Sequence, residues 1–398
     1  MLPRNQYLKK LLASKDNDMV KVITGVRRAG KSSLLFLLKQ HLISEGINEN
    51  QIIEINYEKF EFDNLKTSGE LHEYISARIV DKFRMYFLID EVQEVDEWAK
   101  AVNSLRVSFN ADIYVTGSNS RMFAGESMTY LSGRYIEIKV LPLSFTEFLL
   151  FKGIKKDEGE NQFQKYLRIG SFPAVCLADK PELIEALISG LFDSIFTRDI
   201  VLRGRIRNVG TFYKVAKFVF ENIGNNISAN SIKNTLVSNG HKITSDTVDN
   251  YLRLMCDAHM LYQCERYDIR GRERLKTNGK YYVVDMGIRN KLIGFRQGNL
   301  GHVIENIVYL QLLRMGYEVS IGKNLSYEVD FIGVKRDERA YFQVCLTAVD
   351  ENTLDRELRA LMNINDQYPK YLITMDKFDL SREGIIHLNL FDFLLSDG

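Results

Sequence analysis

The sequence predicts an α/β chain of more than one domain: a parallel sheet flanked by helices, a basic helical module, and a second α/β domain. Three observations lead there. Short β-rich runs alternate with amphipathic stretches over residues 1–145, helices then follow one another to about residue 261, and strands return towards the carboxyl end. A length of 398 residues fits two or three domains at about 150 residues each. Hydrophobic residues at 45% and charged residues at 26% exclude disordered and fibrous classes, and five prolines exclude a Pro-rich linker protein.

Each element follows from its local pattern. The runs Val20–Thr24, Ile52–Asn56, Met85–Ile89, Asp112–Thr116 and Tyr135–Val140 read as strands, with SSLLFLLKQHL and EWAKAVNSL as helices between them. Residues 146–205 read as a helical lid or linker, interrupted by the polar stretch Lys155–Gln162 and by the turn GSFPAV. Residues 206–293 read as three helices, the last two each expected to follow a Ser N-cap. LYQCERYD and KYYVVDMGI then form a two-stranded wing around the basic turn IRGRERLKTNGK. GFRQGNLG is a linker, and residues 301–398 hold the final domain: helix ENIVYLQLLRMG, strands YEVSIG, YEVDFIGV and AYFQVCLT, a helix at 352–363, and strand KYLITM.

The charge is uneven. Overall, 53 basic residues face 52 acidic ones, so the whole chain is not a simple polyanion binder. Residues 201–300, however, carry 17 basic and 8 acidic side chains, whereas 301–398 is net −6. No apolar run reaches the roughly 18 residues of a membrane helix, and the start lacks the apolar core of a signal peptide. A cytoplasmic protein is expected. Cys176, Cys256, Cys264 and Cys345 show neither zinc nor disulfide spacing, so reduced, partly buried thiols are expected.

The strongest motif is Gly25-Val-Arg27-Arg28-Ala29-Gly30-Lys31-Ser32-Ser33, between a strand and a helix. Its glycines let backbone N–H groups turn inward around phosphate, and the helix N-terminus adds positive dipole. Lys31 is expected on the β- and γ-phosphates of ATP, and the Ser32 hydroxyl on Mg2+. MYFLIDEVQEV then places Asp90 to hold Mg2+ and Glu91 to polarise the attacking water. An adjacent glutamate favours hydrolysis over transfer to a bound acceptor. In IYVTGSNSRMF, Ser118, or Asn119 beside it, is placed to touch the attacking water or the γ-phosphate. Arg134 and Arg198 are candidate sensing or trans-acting arginines, since transition-state charge on the γ-phosphate needs a guanidinium.

These motifs, with LSGRY, PLSFTEF, GSFPA, FTRDI and the tail EVDFIG…FQVCLT, resemble a bacterial and archaeal AAA+ family, of the broad AAA+ and STAND division. In that family an ATPase domain precedes a C-terminal domain of unknown function of the DUF4143 type. The strand Ile52–Asn56, between the Lys31 loop and Asp90, matches the inserted strand of that division, and TGSNS its sensor-1 strand. Ser171 stands where a second Gly is usual. The resemblance implies a P-loop NTPase sheet with a helical lid, ATP hydrolysis, and a homo-oligomer whose neighbouring copy completes the site.

Two further modules are read from pattern and charge. Helix, helix, helix, wing is the order of a winged helix, whose third helix enters the major groove of DNA. Lys242, Asn250 and Arg253, with Arg270, Arg272, Arg274 and Lys276 of the wing, are candidate DNA contacts; protein docking is the alternative use. The tail resembles a PD-(D/E)XK nuclease core, with Glu305, Asp330 and Gln343 at its metal-binding positions. Gln343 and Cys345 replace the usual Glu and Lys, so an inactive, degenerate core is expected. The function expected is an ATPase driving DNA remodelling or branch migration. A signalling switch that recruits protein, or an ATP-dependent nuclease, are the alternatives.

Overall fold

The computed structural model describes residues 2–80, 82–120, 126–271, 273–296, 298, 300–324 and 327–396, with the side chains of 126–128 and 275–278 outside the description. The chain forms two compact units: residues 1–142 with Asp257–His259, and residues 143–256 with 260–398.

The first unit is built on five parallel strands: β1 Val20–Thr24, β2 Ile52–Asn56, β3 Met85–Asp90, β4 Ala111–Gly117 and β5 Tyr135–Lys139. They lie in the order β2-β3-β4-β1-β5. β1, β3 and β4 are buried throughout, which is why they read as unbroken apolar runs. Helices α1 Asn5–Ala13, α2 Lys31–Ser44, α3 Ser68–Ser76 and α4 Trp98–Ser108 accompany the sheet. Phe87, Ile89, Val102, Leu105 and Trp98 pack one side of it into a continuous core, where Leu→Ala costs about 2–5 kcal/mol. The strand inserted in space between β1 and β3 is β4, whereas β2, expected in that role, is at the edge. The order therefore brings the ends of β1, β3 and β4 side by side.

The second unit opens with helices α5 Phe145–Lys152, α6 Phe163–Ile169, α7 Pro173–Leu177 and α8 Pro181–Asp193. Ser144 and Glu147 of PLSFTEF form a capping box at the start of α5. Residues Ser194–Leu202, containing FTRDI, are π-helical, a rare winding often found at functional sites. Gly170 of GSFP has φ 79° and lies against Asp285, leaving no room for a Cβ. Ser171 donates to the same carboxylate from both its backbone N–H and its hydroxyl.

Three helices follow as expected: α9 Val209–Glu221, α10 Ala229–Ser238 and α11 Ser245–Asp257. Ser228 caps α10, but Thr244 rather than Ser245 accepts from the first turn of α11. The expected wing is different. β7 Leu261–Asp268 and β8 Glu273–Val283 pair antiparallel, and most of the predicted basic turn is β8 itself. The expected strand end DMGI is instead the start of α12 Met286–Ile293, because Asp285 accepts from the Ile288 amide as N-cap.

β7 also pairs in parallel with β9 Glu318–Asn324. With β6 Asn226–Ile227, β10 Tyr327–Lys335, β11 Glu338–Val344, β12 Lys370–Thr374 and β13 Ile385–Asn389, one eight-stranded sheet runs β13-β12-β11-β10-β9-β7-β8-β6. The strands read as a wing and those read as a separate tail domain thus share one sheet and one compact unit. α13 Leu300–Arg314 sets Tyr309 against Tyr282 of β8 and Phe331 of β10, at 4.3 and 5.8 Å. α14 Glu351–Met362 packs Leu354, Leu358 and Leu361 on the sheet, and α15 Leu390–Leu395 closes the chain. Among the described residues no helix is long and apolar enough to cross a membrane, and none of the four cysteines is in a disulfide.

Candidate nucleotide site

The loop between β1 and α2 is shaped by backbone geometry that side chains resist. Gly25 and Gly30 have φ of 137° and 103°, and Arg28 has φ 64°. A Cβ on Gly25 would lie 2.1 Å from the Val140 carbonyl oxygen, so only glycine fits there. Ala29 and Arg27 are buried, Arg28 and Ser32 are exposed, and Ser33 is half-buried. Lys31 is 3% exposed. Its ammonium donates to the Gly25 and Val26 carbonyls at 3.0 and 3.2 Å and lies 3.9 Å from Glu91 Oε1.

β3 delivers the acidic pair to the same place. Thr116 of β4 links them: its hydroxyl donates to Asp90 Oδ1 and accepts the Glu91 N–H, the latter at 2.9 Å. Asp90 Oδ2 is buried without a hydrogen-bond partner among the described residues, as is Ser118 Oγ. Burial raises the Asp90 pKa, while the Thr116 and Ser32 hydroxyls act against that rise. Glu91 stands in left-handed backbone with φ 58°, and Gln93 donates to its Oε2. Asn119 is buried next to Ser118.

The buried oxygen of Asp90, the nearby Ser32 hydroxyl and the second carboxylate form a hard-oxygen donor set that suits Mg2+. The inward-turned loop at the start of α2 suits phosphate.

One neighbour of this site comes from a distant part of the chain. Asp257–His259 joins this unit although Cys256 and Met260 on either side belong to the other. Ser120 Oγ donates to Asp257 Oδ1 at 3.3 Å. His259 is 3% exposed, with φ 53°. Burial, then the positive charges of Lys139 and Lys31, push its imidazole down to about 3. The sequence pattern reads this segment as the end of the third helix, SDTVDNYLRLMCDAHML, whereas the helix stops at Asp257, and a helical pattern does not show which unit its end joins.

Arg134 is exposed before β5, and Arg198 is exposed on the π-helical segment. Lys242, Arg253 and Arg270 are exposed, with Arg253 donating to Asn250. Arg274 is exposed but lies near Glu265 and Glu318, at 3.5 and 3.8 Å. Arg272 and the Lys276 side chain fall outside the described residues. Lys280, read as part of the basic wing, is buried. Glu305 and Asp330 do come together, around that lysine, and Gln343 accepts the Asp330 N–H.

Comparison with known proteins supports an AAA-type ATPase domain in the first unit. Residues 17–149 match the model of an AAA domain, and residues 160–299 match a domain of unknown function, DUF8612, rather than the DUF4143 type expected. An uncharacterized protein of Haemophilus influenzae is 41% identical over 99% of both chains. One of Methanocaldococcus jannaschii is 31% identical over 86% of this chain and 78% of its own. Among solved structures, a Walker-type ATPase of Pyrococcus abyssi aligns over 73% of this chain and 96% of its own, with 17% identity and a TM-score of 0.46. The Aeropyrum pernix ORC1 protein in complex with DNA aligns over 73% and 92%, with 10% identity and a TM-score of 0.33.

Proposed function

We propose that this chain, which belongs to one family with the Haemophilus and Methanocaldococcus proteins and carries an AAA domain, couples ATP hydrolysis in its first unit to action on DNA by its second. The observation that carries the ATPase part is the convergence of Lys31, Asp90 and Glu91, with Lys31 3.9 Å from Glu91 and one Asp90 oxygen buried without a partner.

In this reading the backbone of Gly25–Lys31 binds the β- and γ-phosphates, and Lys31 turns from its loop carbonyls to the γ-phosphate. Ser32 and Asp90 hold Mg2+, which when bound neutralises phosphate charge. Glu91 accepts a hydrogen bond from the attacking water and aligns it for in-line attack. Thr116 of β4 holds the Asp90 carboxylate and the Glu91 backbone N–H, which limits reorganisation of the acidic pair. Ser118, with Asn119 beside it, donates to the water or the γ-phosphate from the end of the same strand. Arg134 or Arg198 reaches the γ-phosphate of a neighbouring copy in a homo-oligomer; both are exposed.

DNA is the proposed partner of the second unit because residues 201–300 are strongly basic and Lys242, Arg253 and Arg270 are exposed. One observation favours a second reading, a switch that recruits protein: the expected wing strands are tied into an eight-stranded sheet, and Lys280 is buried within it. ATP hydrolysis measured with no DNA and with duplex, single-stranded and branched DNA, alongside sizing of the particle, separates them. Stimulation by DNA in an oligomer supports the first reading. An ATPase indifferent to all three DNAs refutes it and leaves the switch.

A further inference from the structure

The carboxylates expected at metal-binding positions in the tail surround a lysine that arrives from another part of the chain. Lys280 stands on β8 and is 4% exposed. Its ammonium lies 2.9 Å from Glu305 Oε1, 3.0 Å from Glu328 Oε1 and 3.5 Å from Asp330 Oδ1. Glu305 comes from α13, one turn before the Tyr309 that packs on Tyr282 and Phe331, so the same helix face brings it over the sheet. Glu328 and Asp330 come from one face of β10, two residues apart.

The other oxygens of this cluster are also engaged. Tyr282 Oη donates to Glu305 Oε1 at 2.6 Å, and His302 Nδ1 lies 3.3 Å from Oε2. Asn226 donates to Glu328 Oε2 at 2.8 Å, and the Val344 N–H to Asp330 Oδ2 at 2.9 Å. Gln343 is used twice: its Oε1 accepts the Asp330 N–H at 3.2 Å, and its Nε2 donates to Glu357 Oε2 at 2.8 Å. A cavity of about 490 Å³ adjoins the cluster, lined by Glu305, Asp330, Gln343 and Glu357 among others. Access is therefore not what excludes a metal.

We propose that Lys280 is a built-in cation: it stands where a divalent metal would gather Glu305, Glu328 and Asp330, and keeps this centre closed to metal in the native chain. An ammonium with three donors meets three converging carboxylates, hydrogen-bonded to Glu305 and at ion-pair distance from Glu328 and Asp330. Three converging carboxylates, those of Glu305 and Asp330 buried and that of Glu328 half-buried, would repel one another strongly without a cation. The electrostatics agree. Burial works against the charged lysine, but the three carboxylates raise its pKa overall. With its ligands committed to protein donors, the centre has no vacant oxygen for the metal that strand cleavage requires.

The test uses the full-length, nucleotide-free protein and Mn2+ as probe, counted by its free-ion EPR signal. Wild type is expected to bind no Mn2+ at this centre. Lys280→Ala is expected to bind one ion per chain, about tenfold or more tighter than wild type, and to gain thermal stability with Mn2+. Adding Asp330→Asn to Lys280→Ala abolishes both effects. Wild-type binding of Mn2+ that Asp330→Asn removes would overturn the proposal, as would a Lys280→Ala protein of wild-type stability that ignores Mn2+. If Lys280→Ala fails to fold even with Mn2+, the pair Lys280→Met and Glu305→Gln decides. A folded double variant beside an unfolded Lys280→Met supports charge neutralisation, and an unfolded double variant refutes it.

Discussion

Acid should weaken the first unit through one histidine. His259 is 3% exposed, and its imidazole is pushed down to about 3 from an ordinary 6.5. In the folded chain it therefore stays neutral through the mildly acidic range, whereas in the unfolded chain it takes up a proton below 6.5. The stability this difference governs is complete above pH 6.5 and is lost progressively as pH falls from 6.5 towards 3. Each pH unit inside that window costs about 1.4 kcal/mol, so at pH 5 the loss is about 2 kcal/mol. The substitution to compare is His259→Asn, because asparagine tolerates the left-handed backbone at φ 53° and does not titrate. The single tryptophan, Trp98, is buried in the core of the first unit, so its fluorescence during urea unfolding reports that unit. Between pH 7.5 and pH 5, wild type should lose about 2 kcal/mol more than the variant. Parallel pH dependences for the two proteins would refute the reasoning, and would mean that His259 is reached by solvent or protonated in place.

Three further outcomes follow from the same geometry. Gly25→Ala sets a Cβ against the Val140 carbonyl in backbone of φ 137°; it should cost about 3 kcal/mol and weaken ATP binding, read by chemical denaturation and nucleotide titration. Lys21→Ala leaves Asp112, the fully buried partner of its ammonium, without a cation; thermal and urea melts should show a loss of about 3–5 kcal/mol. Lys31→Ala removes the ammonium that the loop holds at its mouth, and affinity for ATP should fall by about tenfold or more in equilibrium titration.

Much of the nucleotide site could be read from the sequence because it is local. Gly25–Ser33 is one continuous stretch whose chemistry depends on backbone shape, and Asp90 and Glu91 follow directly on an apolar strand. The five strands of the first sheet were likewise marked by short, bounded apolar runs. The sequence showed less wherever partners are distant along the chain. β7 meets β9 in parallel, a pairing that no hairpin turn announces. Lys280 looked like a solvated wing residue because its neighbours in sequence are basic, whereas its neighbours in space are acidic. Asp285 looked like the middle of a strand, yet its carboxylate caps α12 and holds Ser171. The strand β13 lies at the edge of its sheet beside β12, and of its residues Ile385 alone is buried, which leaves no strong apolar signal.

Glu91→Gln separates binding from turnover and so bears most directly on the ATPase site. With radiolabelled ATP and Mg2+ under single-turnover conditions, the variant should retain ATP with wild-type affinity. Phosphate release should be slowed by about a hundredfold or more, since a neutral amide cannot draw a proton from the attacking water. Phosphate release at the wild-type rate would show that the carboxylate 3.9 Å from Lys31 is not the group that activates water, and the proposed mechanism would fail with it.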